Sequence, residues 1–343
     1  YLYNRLAGPS GSGNTTVLYQ QPATKVSTTD DKGNKNGLSV ADVAAMVQPA
    51  VVEITTERVT TGNRLNQYTE GAGSGVIISN DGVIVTNCHV IEGSNKIVVT
   101  LHNGESYEAS VIASDETTDL ALLRIHKTDL TAAVLGNSGN LAVGETAIAV
   151  GNPLGSLGGT VTTGIISALD REITVGGKTM HLLQTNAAIN PGNSGGGLFN
   201  AAAELIGIVN AKSSGEDVEG LGFAIPVDVA KPVITDLLEK GYVTGRIDTG
   251  MTFVDINDTV TAMLNRVDRL GVYVQSVQAG SNAQQAGFEA ADYIVAVNGA
   301  TVSSIAGLNK LLEQCKVGDT LRFDIIRGRQ TRTLSLTLRE KTT

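Results

Sequence analysis

The sequence predicts a mostly β protein that is divided into two folded domains. The chain has 343 residues, enough for about two domains. Short apolar runs recur between Gly, Asn and Asp turns over residues 73–230, whereas strand and helix patterns alternate from residue 246 onward. The 40 glycines suit a chain with many turns, and the apolar fraction of 41 % is enough to form ordinary hydrophobic cores.

Residues 1–37 are predicted to form a flexible polar stalk. Gly, Ser, Thr, Asn, Gln and Lys dominate residues 8–37, so this stretch has too few apolar side chains to bury. The first folding signal is Ser39-Val40-Ala41-Asp42, which has the pattern of a capping box and predicts a short helix. A strand over residues 50–57 is expected to follow it.

Residues 38–230 form the first predicted domain, and their evenly spaced short strands favour a barrel or a sandwich. A helix is predicted over residues 228–240, with Asp228 as its N-cap and Gly241 beyond its end. Residues 231–245 then serve as helix and linker to the next domain. The clearest predicted strands are 75–78, 83–86, 96–101, 121–125, 145–150, 161–167, 182–184, 205–210 and 222–225.

Residues 246–343 form the second predicted domain, which is of α+β type. Apolar and polar residues alternate over 320–326 and 331–338, so these two strands could pair as a hairpin. The other predicted elements are strands at 271–277 and 293–297 and helices at 282–286 and 304–315.

The charge pattern excludes several classes of function. The net charge is −9 and no basic stripe is present, which argues against nucleic acid and against anionic membranes as partners. No run of 18 apolar residues occurs, so no membrane span is predicted. Cys88 and Cys315 are far apart in different predicted domains, so no disulfide is expected, and neither a metal nor a cofactor is predicted.

A glycine-rich octapeptide, Asn-Pro-Gly-Asn-Ser-Gly-Gly-Gly, marks the strongest candidate for catalysis. Glycines allow a backbone in which the N–H groups of Gly192 and Ser194, with that of Asn193 nearby, face one small space. Such a cluster of donors stabilises the negative charge that develops when a serine attacks a carbonyl group. The alternative interpretation is a polar turn between two strands.

A serine nucleophile needs a base, and a histidine base needs a carboxylate that orients it. His89 stands at the end of a β-type run, whereas His102, His126 and His181 have the surroundings of surface histidines. Asp119 directly precedes an apolar strand, where an acid must be hydrogen-bonded or paired. The order His89, Asp119, Ser194 is the one found in chymotrypsin-like double β-barrel proteases.

Six segments of the first predicted domain have the same distinctive residues as one protease family, in the same order: 86–90, 119–121, 151–153, 160–167, 186–196 and 222–226. Together these segments resemble the HtrA/DegP family of serine endoproteases, and residues 246–343 resemble the family's PDZ domain. The resemblance implies a homotrimer located outside the cytoplasm, at the cell surface or in the periplasm, with any membrane anchor upstream of residue 1. It also implies cleavage of unfolded or misfolded proteins in quality control and stress response.

The predicted substrate contacts are less specific. The run Ile208, Val209, Asn210 is expected to offer a strand edge to an extended substrate. Ile189 suggests an apolar specificity pocket, and the polar stretches 168–182 and 211–220 are interpreted as gating loops.

In the PDZ-like domain, the N–H groups of Thr249, Gly250 and Met251 are predicted to bind peptide C-termini. The family resemblance places the carboxylate-binding loop at these residues. Two alternatives stay open for the chain as a whole: a chaperone or scaffold with little proteolysis, and an adhesin-like surface protein.

Overall fold

The computed structural model describes residues 38–61, 66–152, 159–175, 178–190, 192–211, 221–264 and 267–342. The predicted stalk, residues 1–37, and most of the predicted gating loop 211–220 lie outside these ranges. The chain divides into two compact units, the first ending at Gly241 and the second made of Tyr242–Thr343 together with the short segment Thr174–Thr179. No helix in the described ranges is long and apolar enough to cross a membrane.

The first unit begins with the predicted capping box. The Ser39 hydroxyl accepts a hydrogen bond from the Asp42 N–H, and the Asp42 carboxylate accepts one from the Ser39 N–H at 2.9 Å. These contacts satisfy backbone donors that the first helical turn leaves unpaired. Helix α1 (Val40–Val47) follows and buries Val43 and Val47, and the 3-10 turn Gln48–Ala50 leads into the first strand.

A seven-stranded antiparallel sheet makes up the first half of this unit. Its strand order is β5-β4-β1-β2-β3-β7-β6, and its buried face packs around Ile54, Ile84 and Leu123. A short helix, α2 (Cys88–Ile91), follows the third strand. The strands are β1 (Val51–Thr61), β2 (Asn66–Ile77), β3 (Val83–Asn87), β4 (Lys96–Thr100), β5 (Ser106–Glu108), β6 (Ser110–Asp115) and β7 (Leu120–Arg124).

The second half of the unit is a closed barrel. Strand β12 pairs with both β9 and β13, which joins six strands into a ring in the order β9-β10-β11-β14-β13-β12, while β8 pairs with β13 from outside. The strands are β8 (Val134–Leu135), β9 (Thr146–Gly151), β10 (Thr160–Val175), β11 (Lys178–Thr185), β12 (Gly197–Phe199), β13 (Glu204–Val209) and β14 (Gly222–Pro226), with a 3-10 turn at Ser138–Asn140.

This arrangement confirms the mostly β, chymotrypsin-like fold of the first domain and corrects two local predictions. Residues 168–182 are not a loop, because β10 and β11 run through most of this stretch as neighbouring strands. Helix α3 (Val227–Lys240) begins after Pro226, so Asp228 is not its N-cap. The Asp228 carboxylate instead accepts a hydrogen bond from the Gly139 N–H at 2.7 Å. Gly241 ends the helix with a positive φ, as predicted.

The second unit has the predicted α+β composition. Its main sheet has the order β16-β17-β18-β20-β21, and the predicted hairpin of the last two strands is present. Phe288 and Phe323 meet edge to face in its core. The strands are β15 (Ile247–Asp248), β16 (Met251–Ile256), β17 (Gly271–Val277), β18 (Tyr293–Val297), β19 (Ala300–Thr301), β20 (Thr320–Arg327), β21 (Gln330–Thr337) and β22 (Arg339–Glu340). The helices are α4 (Thr259–Leu264), α5 (Asn282–Gln285) and α6 (Ile305–Leu312).

Candidate active site

Strand pairing brings His89 and Asp119 together. Strands β3 and β7 are antiparallel, and Asn87 lies opposite Leu120. A residue that follows β3 therefore lies beside the residue that precedes β7. His89 comes from the helical turn after β3, and Asp119 has a positive φ of 56° at the entry to β7.

Ser194 reaches the same point from the barrel of the second half. His89 Nδ1 lies 2.6 Å from Asp119 Oδ2, and His89 Nε2 lies 3.1 Å from Ser194 Oγ. In a neutral imidazole the proton faces the carboxylate on Nδ1, which leaves Nε2 to accept the hydroxyl proton of Ser194. The three side chains thus stand in a continuous chain from carboxylate to imidazole to hydroxyl.

Besides the His89 imidazole, four donors hold Asp119 in place. The His89 N–H donates to Oδ1 at 3.0 Å, and the Asn210 amide donates to Oδ2 at 2.9 Å. The Asp119 carbonyl oxygen accepts from the Cys88 N–H at 3.1 Å and from the Asn87 amide at 3.0 Å. Both carboxylate oxygens are therefore satisfied in an orientation that faces the imidazole. The sequence analysis named Asn210 only as part of a strand edge and missed its hydrogen bond to Asp119.

The predicted strand edge for substrate is not free at Ile208 and Val209. Strand β13 has a neighbour on each side, because Ile208 lies opposite Gly197 of β12 and Ile225 of β14. The N–H of Val209 donates to Gly196 and the N–H of Asn210 donates to Phe223. These main-chain groups close the barrel, so they are not available for pairing with a peptide.

The loop around Ser194 is a tight turn that depends on its glycines. Gly192 and Gly195 have φ values of 98° and 81°, in the left-handed region that favours glycine. A Cβ at Gly195 would collide with the carbonyl oxygen of Ser74 and with the Thr86 hydroxyl. The Asn193 N–H donates to the Asn190 carbonyl at 3.0 Å and closes the turn. That N–H therefore belongs to the turn, which corrects its predicted place beside the oxyanion donors.

Ser74 of β2 ties this loop to the first sheet. Its N–H donates to the Ser194 carbonyl oxygen at 2.8 Å, and its hydroxyl donates to the Gly192 carbonyl oxygen at 2.6 Å. The same hydroxyl accepts the Asn152 N–H at 2.8 Å. Sequence analysis missed this residue, although it has a glycine on either side, as a position in close backbone packing often does.

The predicted pocket residue Ile189 is half-buried and packs against the barrel core. Gly222 lies beside it, since a Cβ at Gly222 would collide with the Ile189 side chain. The segment before Ile189 is held by Asn186, whose side-chain oxygen accepts the Ile165 N–H at 2.7 Å, and by the Ala188 carbonyl, which accepts the Thr162 hydroxyl. An apolar side chain therefore lies on a supported segment that precedes Ser194 by five residues in the chain.

The thiol beside His89 is not a competing nucleophile. Burial raises the pKa of Cys88, the acidic groups of Asp119, Glu116 and Glu92 raise it further, and the hydrogen bond with Ser114 only partly opposes this. A protonated thiol is a poor nucleophile. Within the described parts of the chain, no three His, Cys, Asp or Glu side chains converge in a way that could hold a metal ion.

In the second unit, Thr249, Gly250 and Met251 form a turn that enters β16. Gly250 has a φ of 68°, and its N–H donates to the Asp248 carboxylate at 2.7 Å. The Met251 N–H donates to the Thr249 hydroxyl at 3.3 Å. The N–H groups of Gly250 and Met251, predicted to bind a peptide carboxylate, are thus both used by side chains of the same loop.

Comparison with known proteins identifies the family. A model of the trypsin-like peptidase domain matches residues 73–208, and a model of the PDZ domain matches residues 248–338. The chain is 41 % identical over 334 residues to the serine protease Do-like HtrB of Bacillus subtilis. The aligned region covers 90 % of this chain and 72 % of that protein. The chain belongs to the HtrA family of serine proteases. It is a serine endopeptidase with one PDZ domain.

Further relatives and solved structures agree with this membership. The Do-like HtrA protease of Bacillus subtilis is 36 % identical over 335 residues, covering 90 % of this chain and 74 % of that protein. The HtrA-type protease AlgW, solved with a decapeptide, superposes with a TM-score of 0.56 at 29 % identity over 89 % of this chain and 100 % of that one. The serine endoprotease from Yersinia pestis superposes with a TM-score of 0.54 at 34 % identity, over 89 % of this chain and 98 % of that one.

Proposed function

We propose that this HtrA-type chain hydrolyses peptide bonds through an acyl-enzyme formed on Ser194. His89 removes the hydroxyl proton as Ser194 attacks the carbonyl carbon, and later donates it to the leaving amine. Asp119 keeps the imidazole in the required tautomer and stabilises its charged form. The observation that carries this proposal is the contact chain of 2.6 Å and 3.1 Å that joins Asp119, His89 and Ser194.

The N–H groups of Gly192 and Ser194 are proposed as the oxyanion hole. In the described part of the loop, neither of them donates to another backbone group, whereas the Asn193 N–H between them is used by the turn. Donors that are already oriented stabilise the developing negative charge without reorganisation during the reaction.

The proposed substrates are extended segments of unfolded or misfolded proteins. Ile189 favours cleavage after Val, Ala, Ile or Leu, because a buried Lys or Arg side chain would face an apolar group without a carboxylate. Mass spectrometry of casein fragments would test this specificity, and a majority of cuts after Lys or Arg would contradict it.

A place in extracytoplasmic protein quality control and stress response is also proposed. Relatives named probable periplasmic serine endoprotease DegP-like, such as that of Chlamydia trachomatis at 40 % identity, support this location. A homotrimer is proposed from the family resemblance, with the exposed side chains of Leu38, Val40 and Met46 as apolar contacts. Light scattering would test it, and a stable monomer at micromolar concentration would count against it.

The decisive test of the catalytic proposal is Ser194→Ala. We expect casein cleavage to fall by about 10⁴-fold or more, because the nucleophile is lost while the turn keeps its backbone hydrogen bonds. Ser79→Ala is a matched control, since Ser79 is also a buried serine, lies two residues beyond the C-terminal end of β2 and hydrogen-bonds with Asp81 and Val83. Residual turnover of the Ser194 variant within tenfold of wild type would refute the assignment and would support a binding scaffold.

A further inference from the structure

One side of strand β2 has no strand neighbour next to the Ser194 loop. In the described sheet, residues 66–75 pair only with β1, because β3 joins β2 beyond them. The Ser74 N–H donates to the Ser194 carbonyl oxygen at 2.8 Å and therefore faces away from β1. This direction recurs at every second residue of an antiparallel strand, so the N–H and C=O groups of Ala72 and Glu70 face the same way. We call this side of β2, at the exposed residues Ala72 and Glu70, the open edge.

The part of the substrate that follows the cleaved bond would leave the serine along the open edge. His89 donates a proton to the leaving amine, so that amine lies beside His89. Val90, the next residue, packs over Gly73 of β2, since a Cβ on Gly73 would collide with Val90 and would lie 3.3 Å from the Ser194 carbonyl oxygen. An extended peptide can pair with such an edge through main-chain hydrogen bonds.

One strand behind the open edge, β1 carries an arginine without a carboxylate partner. Arg58 is half-buried, and its buried Nε donates no hydrogen bond. None of the ion pairs found in the described ranges includes it. The adjacent acid, Glu57, projects from the other face of β1 and pairs with Lys96 at 3.2 Å. The guanidinium charge of Arg58 is therefore available to an anionic group.

A glycine lets side chains of β1 extend toward the open edge. Thr56 is fully buried, and its hydroxyl has no hydrogen-bond partner. It lies opposite Gly71 of β2, where a Cβ would come within 2.7 Å of the Thr56 hydroxyl oxygen. The hydroxyl thus leans over the glycine, and Arg58 lies two residues further along the same face of β1.

The distance between strands allows contact with a bound peptide. Neighbouring strands lie about 4.8 Å apart, so a peptide on the open edge would run about 10 Å from β1. Two long side chains, that of Arg58 and a glutamate of the peptide, can bridge this gap over Gly71. Because a guanidinium and a hydroxyl both donate hydrogen bonds, the matching ligand group is an acceptor, and a carboxylate also neutralises the charge.

We propose that Arg58 gives this protease a preference for an acidic side chain about three to five residues after the cleaved bond. The proposal rests on the proposed proteolysis at Ser194 and narrows its substrates. Counted back along β2 from Ser74, Gly71 is the third residue and Thr69 is the fifth. Side chains of directly opposed residues share a face, so the third and fifth peptide residues face Arg58, whereas the fourth faces away.

The test compares the cleavage of three internally quenched peptides that have valine before the cleaved bond. One has Glu at the third residue after that bond, one has Gln there, and one has Glu at the fourth residue instead. Mass spectrometry locates each cut. Each kcat/KM is divided by that of a chromogenic peptide without residues after the cleaved bond, which corrects for any change in the catalytic groups.

The variants separate charge from packing. Arg58→Met keeps a long side chain without charge, and Arg58→Glu reverses the charge. Arg171→Met is the matched control, because Arg171 is an arginine of β10 whose Nε donates to Gln184 at 2.8 Å.

We expect wild type to prefer Glu over Gln at the third residue by about fivefold, and this preference should shrink at 1 M salt, where charges are screened within about 3 Å. Arg58→Met should bring the Glu/Gln ratio close to one, Arg58→Glu should bring it below one, and Arg171→Met should keep it. A wild-type ratio within about 1.5-fold of one, an unchanged ratio in Arg58→Met, or an equal gain from Glu at the fourth residue would overturn the role of Arg58 while leaving proteolysis intact. Failure of wild type to cleave any of the peptides would overturn the proposed proteolysis, and this preference with it.

Discussion

Replacing Ser74 with alanine removes a hydroxyl that has no direct contact with the reacting atoms. This hydroxyl donates to the Gly192 carbonyl oxygen at 2.6 Å and accepts the Asn152 N–H at 2.8 Å. The Gly192–Asn193 peptide is held at its other end by the bond between the Asn193 N–H and Asn190. Ser74 is therefore a positioning residue for the turn that carries the proposed oxyanion donors.

The size of the effect follows from these contacts. The buried Asn152 N–H and the partly buried Gly192 carbonyl oxygen lose their partner, and an unsatisfied buried group costs about 1–3 kcal/mol. The turn can reduce this cost by shifting Gly192, and such a shift also moves the Gly192 N–H, which belongs to the preceding peptide, out of line with the oxyanion. Loss of one oxyanion donor costs about 10²–10³-fold in kcat. We expect Ser74→Ala to lower kcat by about 10²-fold and to leave KM within threefold.

The assay measures kcat and KM with a short chromogenic peptide, together with Ki for a matching peptide aldehyde. The aldehyde forms a tetrahedral anion on the serine, so its Ki reports on the oxyanion donors, whereas KM reports mainly on ground-state binding. Ser79→Ala is the control, because the Ser79 hydroxyl is also buried and accepts a backbone N–H, from Val83 at 3.2 Å. Thermal unfolding of both variants shows whether stability changes to a similar extent.

Two results would refute this reasoning. If Ser74→Ala keeps kcat within threefold of wild type, the turn does not depend on the hydroxyl. If kcat falls but the Ki of the aldehyde does not rise with it, the lost activity comes from another part of the site.

Three further predictions concern other contacts. Asn210→Ala should lower kcat/KM by about tenfold, because Asp119 loses a buried amide donor, and kinetics with the same chromogenic peptide checks this; unchanged kcat/KM would show that the other donors suffice. Arg327→Met should destabilise the second unit by about 3–5 kcal/mol, because it leaves the fully buried Asp292 carboxylate without its bidentate partner. Denaturant unfolding measures it, and a loss below about 1 kcal/mol would contradict this role. Burial raises the pKa of Asp228, but hydrogen bonds from the Gly139 N–H and from Lys231 outweigh it and hold the pKa below its usual value. Asp228→Asn should therefore be less stable than wild type near pH 7, with the difference shrinking as pH falls through the lowered folded-state pKa, and a difference that stays constant down to about pH 3 would contradict this.

The candidate catalytic residues could be selected from the sequence because each has a distinctive local setting. Ser194 lies among glycines that allow positive φ, His89 follows an apolar strand, and Asp119 precedes one. The strands themselves were also predictable, since their apolar residues recur within a few positions of each other. Backbone preference and side-chain alternation act over such short distances.

The errors arise where an assignment depends on neighbours that are distant in the chain. Ile208 and Val209 have the composition of a strand that could receive substrate, yet neighbouring segments of the barrel cover both of its sides. Asp228 has the sequence position of a helix cap, but its carboxylate is drawn to Gly139, which is 89 residues away. In both cases a tertiary contact competes with the local pattern and displaces it.

The sequence by itself determined the two domains, most strands and helices, the capping box at Ser39 and the order of the candidate catalytic residues. Only the tertiary structure decided which polar groups are free and which are used. Ser74 reaches Gly192 across 118 residues, and Gly250, whose N–H donates to Asp248, lies in a turn whose carbonyl oxygen accepts hydrogen bonds from Gln278 and Ser281. The reason is that propensities act between adjacent residues, whereas a hydrogen bond between distant residues exists only after the sheets have set their register.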